Sequence, residues 1–148
     1  MSYVAIKYVH LLAIMILFAS LCLEHYVLKP RLSAKDMRKL ALIDGIYGGA
    51  SAVALGAGLT LWFAVGKGQD FYSPNHLFHL KLGLFAVLGL LSVYPTIFFL
   101  KHRKTEAAVT EIPGSVILIV RIELVLALLI PVFAVMMAQG VGLPNAGG

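Results

Sequence analysis

The chain has 148 residues, 60% of them hydrophobic and 13% charged, with a formal net charge of +5. Soluble domains carry about 45–50% apolar and about 25% charged residues, so this composition excludes an ordinary soluble protein. At about 20 apolar residues per spanning helix, the length accommodates four spans with short connections and leaves nothing for a soluble domain.

Cys22 is the only cysteine, which excludes an internal disulfide, a paired-thiolate zinc site and a Cys-x-x-Cys-His attachment for covalent haem. The positive charge stands in blocks beside apolar runs, a pattern that reports topology and anionic lipid rather than nucleic acid.

The first span is expected over about residues 4–28. It is too long for a signal peptide, has no small-x-small site after Cys22, and carries Glu24-His25-Tyr26 where a cleavage region would be small. Ser33-Ala34-Lys35-Asp36 then reads as a capping box, with Ser33 as N-cap of a helix whose membrane part covers about 42–66. Gly45, Gly48, Gly49, Gly56 and Gly58, with Ala50, Ser51, Ala52, Ala54 and Ala57, fill this span with small residues. They suit either close helix packing or a slot for a flat cofactor.

Ser73-Pro74 caps the third helix, whose span covers about 76–100 with Pro95 as a kink near its end. Pro113-Gly114-Ser115 opens the fourth, covering about 115–139 with Pro131 inside it. A glycine-rich tail over 140–148 is expected to be poorly ordered.

Lys29, Arg31, Lys35, Arg38 and Lys39 lie between spans one and two, and Lys101, Arg103 and Lys104 between spans three and four. Four spans put both connections on one side, and Lys7 and Lys67 are all that the other side offers. The positive-inside rule then makes the basic loops cytoplasmic and both termini extracytoplasmic. The expected fold is an all-α, four-helix transmembrane bundle, one domain over 1–148, in the bacterial cytoplasmic membrane.

Ionisable groups inside spans cost several kcal/mol unless paired or hydrated, so each is a functional-site hypothesis. Near the cytoplasmic surface lie Glu24, His25, Asp44, Arg121 and Glu123, with His102 at the boundary. The simplest reading is a buried ion network in which Arg121 pairs with Glu24 or Asp44, either as helix glue or as a proton relay. Near the outer surface lie His10, His76, His79, Lys81 and Trp62. His10 stands about two turns into an apolar run, and His76 and His79 share a helical face from which Lys81 is rotated by about 200°. Facing imidazoles from two helices are how a bundle ligates b-type haem, and a nearby cation pairs with a propionate. The plain alternative for a membrane histidine is a helix-to-helix hydrogen bond.

Tyr8-Val9-His10-Leu11-Leu12, Lys67-Gly68, Phe71-Tyr72, Phe78-His79-Leu80-Lys81, Ser92 and Pro95-Thr96 resemble a family of four-span bacterial membrane proteins known only as a domain of unknown function. The likeness covers most of the chain. More distantly, the early histidine of span one and the lysine opening span three look like the HemJ protoporphyrinogen oxidases and the CopD copper-resistance proteins. That resemblance implies a haem-ligating role for His10 and an important one for Lys81. The stretch from Glu24 to Arg31 and the glycine-rich second span depart from HemJ, so what the resemblance carries over is the bundle and the haem ligand.

Three functions follow as alternatives. The first is a haem b protein, acting in electron transfer or as a HemJ-like oxidoreductase, with His10 and His79 as iron ligands, His76 and Lys81 beside the cofactor, and quinone or a porphyrin as partner. The second is a copper-binding or copper-transport protein using His76 and His79 with Met136 and Met137, since thioether and imidazole suit Cu(I). The third is a non-catalytic structural membrane protein whose polar residues hold helices together. The lipid bilayer is a partner in all three, a homo-oligomer is compatible with each, and nucleic acid with none.

Overall fold

The computed structural model describes residues 2–64 and 76–139. The Ser73-Pro74 cap, Lys67-Gly68, Phe71-Tyr72 and the glycine-rich tail over 140–148 lie outside them. Four long helices follow one another: α1 (Tyr3–Val27), α2 (Ala34–Phe63), α3 (His76–His102) and α4 (Gly114–Ala138). Each is long and apolar enough to cross a membrane. α1 packs along α2 and α3 along α4, and α1–α4 and α2–α3 contacts join these two hairpins into a bundle.

Helix starts follow the local chemistry. The Ser2 side chain accepts from the Ala5 N–H, and the Ser33 side chain from the Asp36 N–H, each at 3.2 Å, so a hydroxyl satisfies one orphan donor at each N-terminus. α4 begins directly after Pro113, as the Pro-Gly-Ser signal implies. Pro95 and Pro131 both lie inside continuous helices. Lipid-side and neighbouring groups absorb such interruptions in spanning helices.

Two short strands were not legible in the loops. β1 (Arg31–Ser33) and β2 (Val109–Glu111) pair antiparallel, with Arg31 opposite Glu111 and Ser33 opposite Val109. The ribbon ties the α1–α2 connection to the α3–α4 connection, so both basic loops occupy the same end of the bundle. Its anchors are Leu32 and Ile112, both buried in the main core, and an Ile112 N–H bond to the Pro30 carbonyl at 2.8 Å. The Arg31–Glu111 ion pair, at 3.4 Å, is exposed.

Each helix buries one narrow stripe at three- and four-residue steps, the period of a helix face. In α1 the stripe is Ile6, Ala13, Leu17 and Leu21; in α2 it is Met37, Leu40, Tyr47, Ala50 and Ala54; in α4 it is Val116, Val120 and Ala127. Large apolar side chains such as Val4, Met15, Leu90, Leu118 and Val135 point outward, as they do where the surroundings are acyl chains.

The glycines of α2 behave differently from tight packing positions. Gly45, Gly48, Gly49 and Gly56 are exposed, and a β-carbon added at any of them would meet nothing within 4 Å. Gly58 is the exception: a β-carbon there would stand 3.1 Å from Cε1 of His10. Within one chain, therefore, these four glycines do not bring helices together, whereas Ala50, Ala54 and Gly58 do lie at contacts with α1.

Candidate functional sites at the two ends of the bundle

At the end opposite the ribbon, His10 continues the α1 core stripe between Ile6 and Ala13, so its imidazole replaces an apolar side chain facing α2. There its Nδ1–H donates to the Ala54 carbonyl at 2.8 Å, and Gly58, four residues on, leaves room for the ring. This bond assigns the proton to Nδ1 and leaves the Nε2 lone pair as the free acceptor or ligand atom. An α-helical carbonyl retains a second lone pair, so Ala54 accepts the bond without breaking its helix.

Lys81 acts electrostatically on His10. It is half-buried, one turn beyond Phe78 on the inner stripe of α3, and its ammonium lies 5.7 Å from the centre of the Phe78 ring. Phe78 in turn meets the Trp62 ring edge-on at 4.8 Å, which joins α2 to α3 at this end. Lys81 and His79 project in opposite directions. His79 and His76 are exposed, whereas Lys81 is half-buried.

An apolar groove of about 290 Å³ runs between α1 and α2, lined by residues that include Val9, Ala13, Gly49 and Val53. Val9 and Val53 are the chain neighbours of His10 and Ala54. The small residues of α2 thus shape the floor of a groove beside the histidine, and their remaining surface is open.

Toward the ribbon end, three carboxyl groups lie in the core. Glu24 on α1 and Glu123 on α4 are each 1% exposed and Asp44 on α2 is 5% exposed, with Tyr47 buried one turn from Asp44. The four groups act electrostatically on one another. Glu24 and Asp44 come close enough to share a hydrogen bond, which exists only when one of them carries a proton, because ionised carboxylates are acceptors alone. As carboxylates, both oxygens of Glu24 and Oε1 of Glu123 have no donor.

Arg121 does not join this cluster, contrary to the ion network expected from the sequence. It is exposed, and among the described residues the ion pair is Arg31–Glu111. The reason is helical phase. Two residues separate Arg121 from Glu123, a rotation of about 200°, and Glu123 occupies the stripe with Val116, Val120 and Ala127. Arg121 faces outward and reaches the interface along its own methylene stem. His25, next to Glu24, is half-buried, and His102 donates Nδ1–H to the Phe98 carbonyl at 2.8 Å while stacking on the Phe98 ring.

Tyr47 was missed in the sequence, although it lies one turn beyond Asp44 on the same stripe. Among the described residues, no group of three or more His, Cys, Asp and Glu side chains is placed to hold a metal ion. Of the two methionines considered for copper, Met137 is buried and Met136 exposed.

No curated protein and no solved structure matches the chain. One family does, over residues 2–142, and its description is "Predicted membrane protein (DUF2214)". A match spanning all four helices is decisive, and the chain belongs to the DUF2214 family of membrane proteins.

Proposed function

We propose that this multi-pass membrane protein binds haem b, with His10 as an axial ligand through Nε2, and acts in electron transfer or as a haem-dependent oxidoreductase. The observation that carries this reading is the Nδ1–H bond of His10 to the Ala54 carbonyl. A backbone acceptor on one ring nitrogen fixes tautomer and orientation and raises the basicity of the other, the usual support of a metal-ligating imidazole.

The surroundings suit the cofactor's two chemistries. The groove beside His10 is apolar, as a porphyrin face requires, and Lys81 would supply the cation that a propionate needs where water is scarce. Haem contributes reversible one-electron chemistry at iron; the protein holds, buries and electrically balances it. His79, at the same end of the bundle, is the further candidate ligand.

In the cell, the basic ribbon end faces the cytoplasm and the His10 end the opposite side of the bacterial inner membrane, by the distribution of Lys and Arg. The decisive experiment is the optical spectrum of protein purified from haem-replete cells. A Soret band with reduced α and β bands, lost in His10→Ala, is the expected result. A parent protein without haem overturns the reading and leaves His10 as the bond that holds α1 to α2.

A further inference from the structure

The carboxyl cluster toward the ribbon end holds acceptors that no donor reaches: both oxygens of Glu24 and Oε1 of Glu123. Glu24, Asp44 and Glu123 come from three different helices, and each takes a position in the buried, mainly apolar stripe of its own helix. Helix glue requires complementary groups, a donor facing each acceptor, and the one cation of matching depth, Arg121, is turned outward. α3 contributes no titratable group to the buried core, where it places Phe78, Leu88, Pro95 and Phe99. The groups facing the cluster are therefore Glu24 from α1, Asp44 and Tyr47 from α2, and Glu123 from α4.

Three ionised carboxylates cannot remain together at such depth without a positive partner, because burial removes the water that would otherwise solvate them and each repels the other two. The positive partner is a metal cation or protons. A metal ion needs several oxygens converging on one point, and the described residues offer no such group. Protons need only pairs: one carboxylic acid donates to a neighbouring carboxylate, and each added proton turns an orphan acceptor into a donor.

We propose that Glu24, Asp44 and Glu123 form a buried proton-binding site, in which exchangeable protons bridge carboxyl oxygens that otherwise have no hydrogen-bond donor. The site lies toward the end of the bundle that carries the ribbon and the basic loops, and its protons exchange with water on that side. It is independent of haem binding, which concerns the opposite end: His10 and Glu24 are 14 residues apart on α1, a rise of about 21 Å.

Infrared spectroscopy of the full chain, reconstituted in lipid, tests this directly. At neutral pH the parent shows a carbonyl stretching band of protonated carboxylic acid, which shifts in D₂O and, on labelling of glutamate carboxyls with ¹³C, shifts again. The other two glutamates, Glu106 and Glu111, are exposed and lie outside the buried cluster. Glu24→Gln and Glu123→Gln, which keep size and remove one acid, each lose a distinct part of its intensity. Because the labelled parent gives the primary readout, the test survives a variant that fails to fold. Absence of the band at neutral pH overturns the proposal, as does a band that ignores glutamate labelling. A rise in melting temperature with Na⁺ or Ca²⁺ that is lost in Glu24→Gln, with no such band, identifies a cation site instead and equally overturns it.

Discussion

The imidazole of His10 reaches across the α1–α2 interface to Ala54 and lies against the bare backbone of Gly58, where a single added carbon would come within 3.1 Å of its ring. The position of the ring is thus controlled from α2. Gly58→Leu is expected to displace it and to deplete bound haem to the extent that His10→Ala does. Gly56→Leu, at a position with no neighbour within 4 Å, is expected to leave haem content at the parent level. Haem per protein, measured by pyridine haemochrome assay on purified variants, checks the pair; equal haem in all three variants would sink the ligand assignment.

Lys81→Ala is expected to weaken haem retention without changing the ligation type. The lysine acts as a point charge beside a carboxylate and not as a ligand, so the spectrum keeps its form while the cofactor is lost faster. Transfer of haem to apomyoglobin, followed by absorbance, gives the rate. A changed α-band position would show that Lys81 touches the iron.

Arg121→Ala is expected to melt within about 0.5 kcal/mol of the parent, as surface substitutions usually do. Loss of a buried pair would cost about 3–5 kcal/mol, and the outward phase of Arg121 removes that penalty. Leu21→Ala, at a fully buried position of α1, is the contrasting case at about 2–5 kcal/mol. Unfolding in mixed detergent micelles resolves these ranges.

Orientation is checked with C-terminal fusions to alkaline phosphatase and to green fluorescent protein. The positive-inside distribution, eight Lys and Arg in the two ribbon-end connections, predicts active phosphatase and a dark fluorescent protein. Bright fluorescence with inactive phosphatase would reverse the topology.

The four helices were legible because a membrane demands long apolar runs, and because Ser33 and Pro113-Gly114 mark starts by local chemistry. Which polar residues turn inward was harder to read. His10, Glu24 and Asp44 stand out as isolated polar groups in apolar runs, but Arg121 and Glu123 lie so close in sequence that depth alone cannot separate them. Helical phase does: stepping from Val116 through Val120 reaches Glu123 and then Ala127, passing over Arg121. The outward glycines of α2 were misleading for the opposite reason, since small residues permit close packing without showing that a partner is present. The strands escaped notice because three residues each are too few for a periodic signal, and their pairing depends on a segment about eighty positions away.

That distant pairing sets an order of assembly. A two-stranded ribbon has little stability of its own, and β1 has no partner until the α3–α4 connection has been made and brought to the same face. Leu32 and Ile112 seat the closed ribbon on the core. An intact ribbon therefore marks a molecule in which both hairpins have already met.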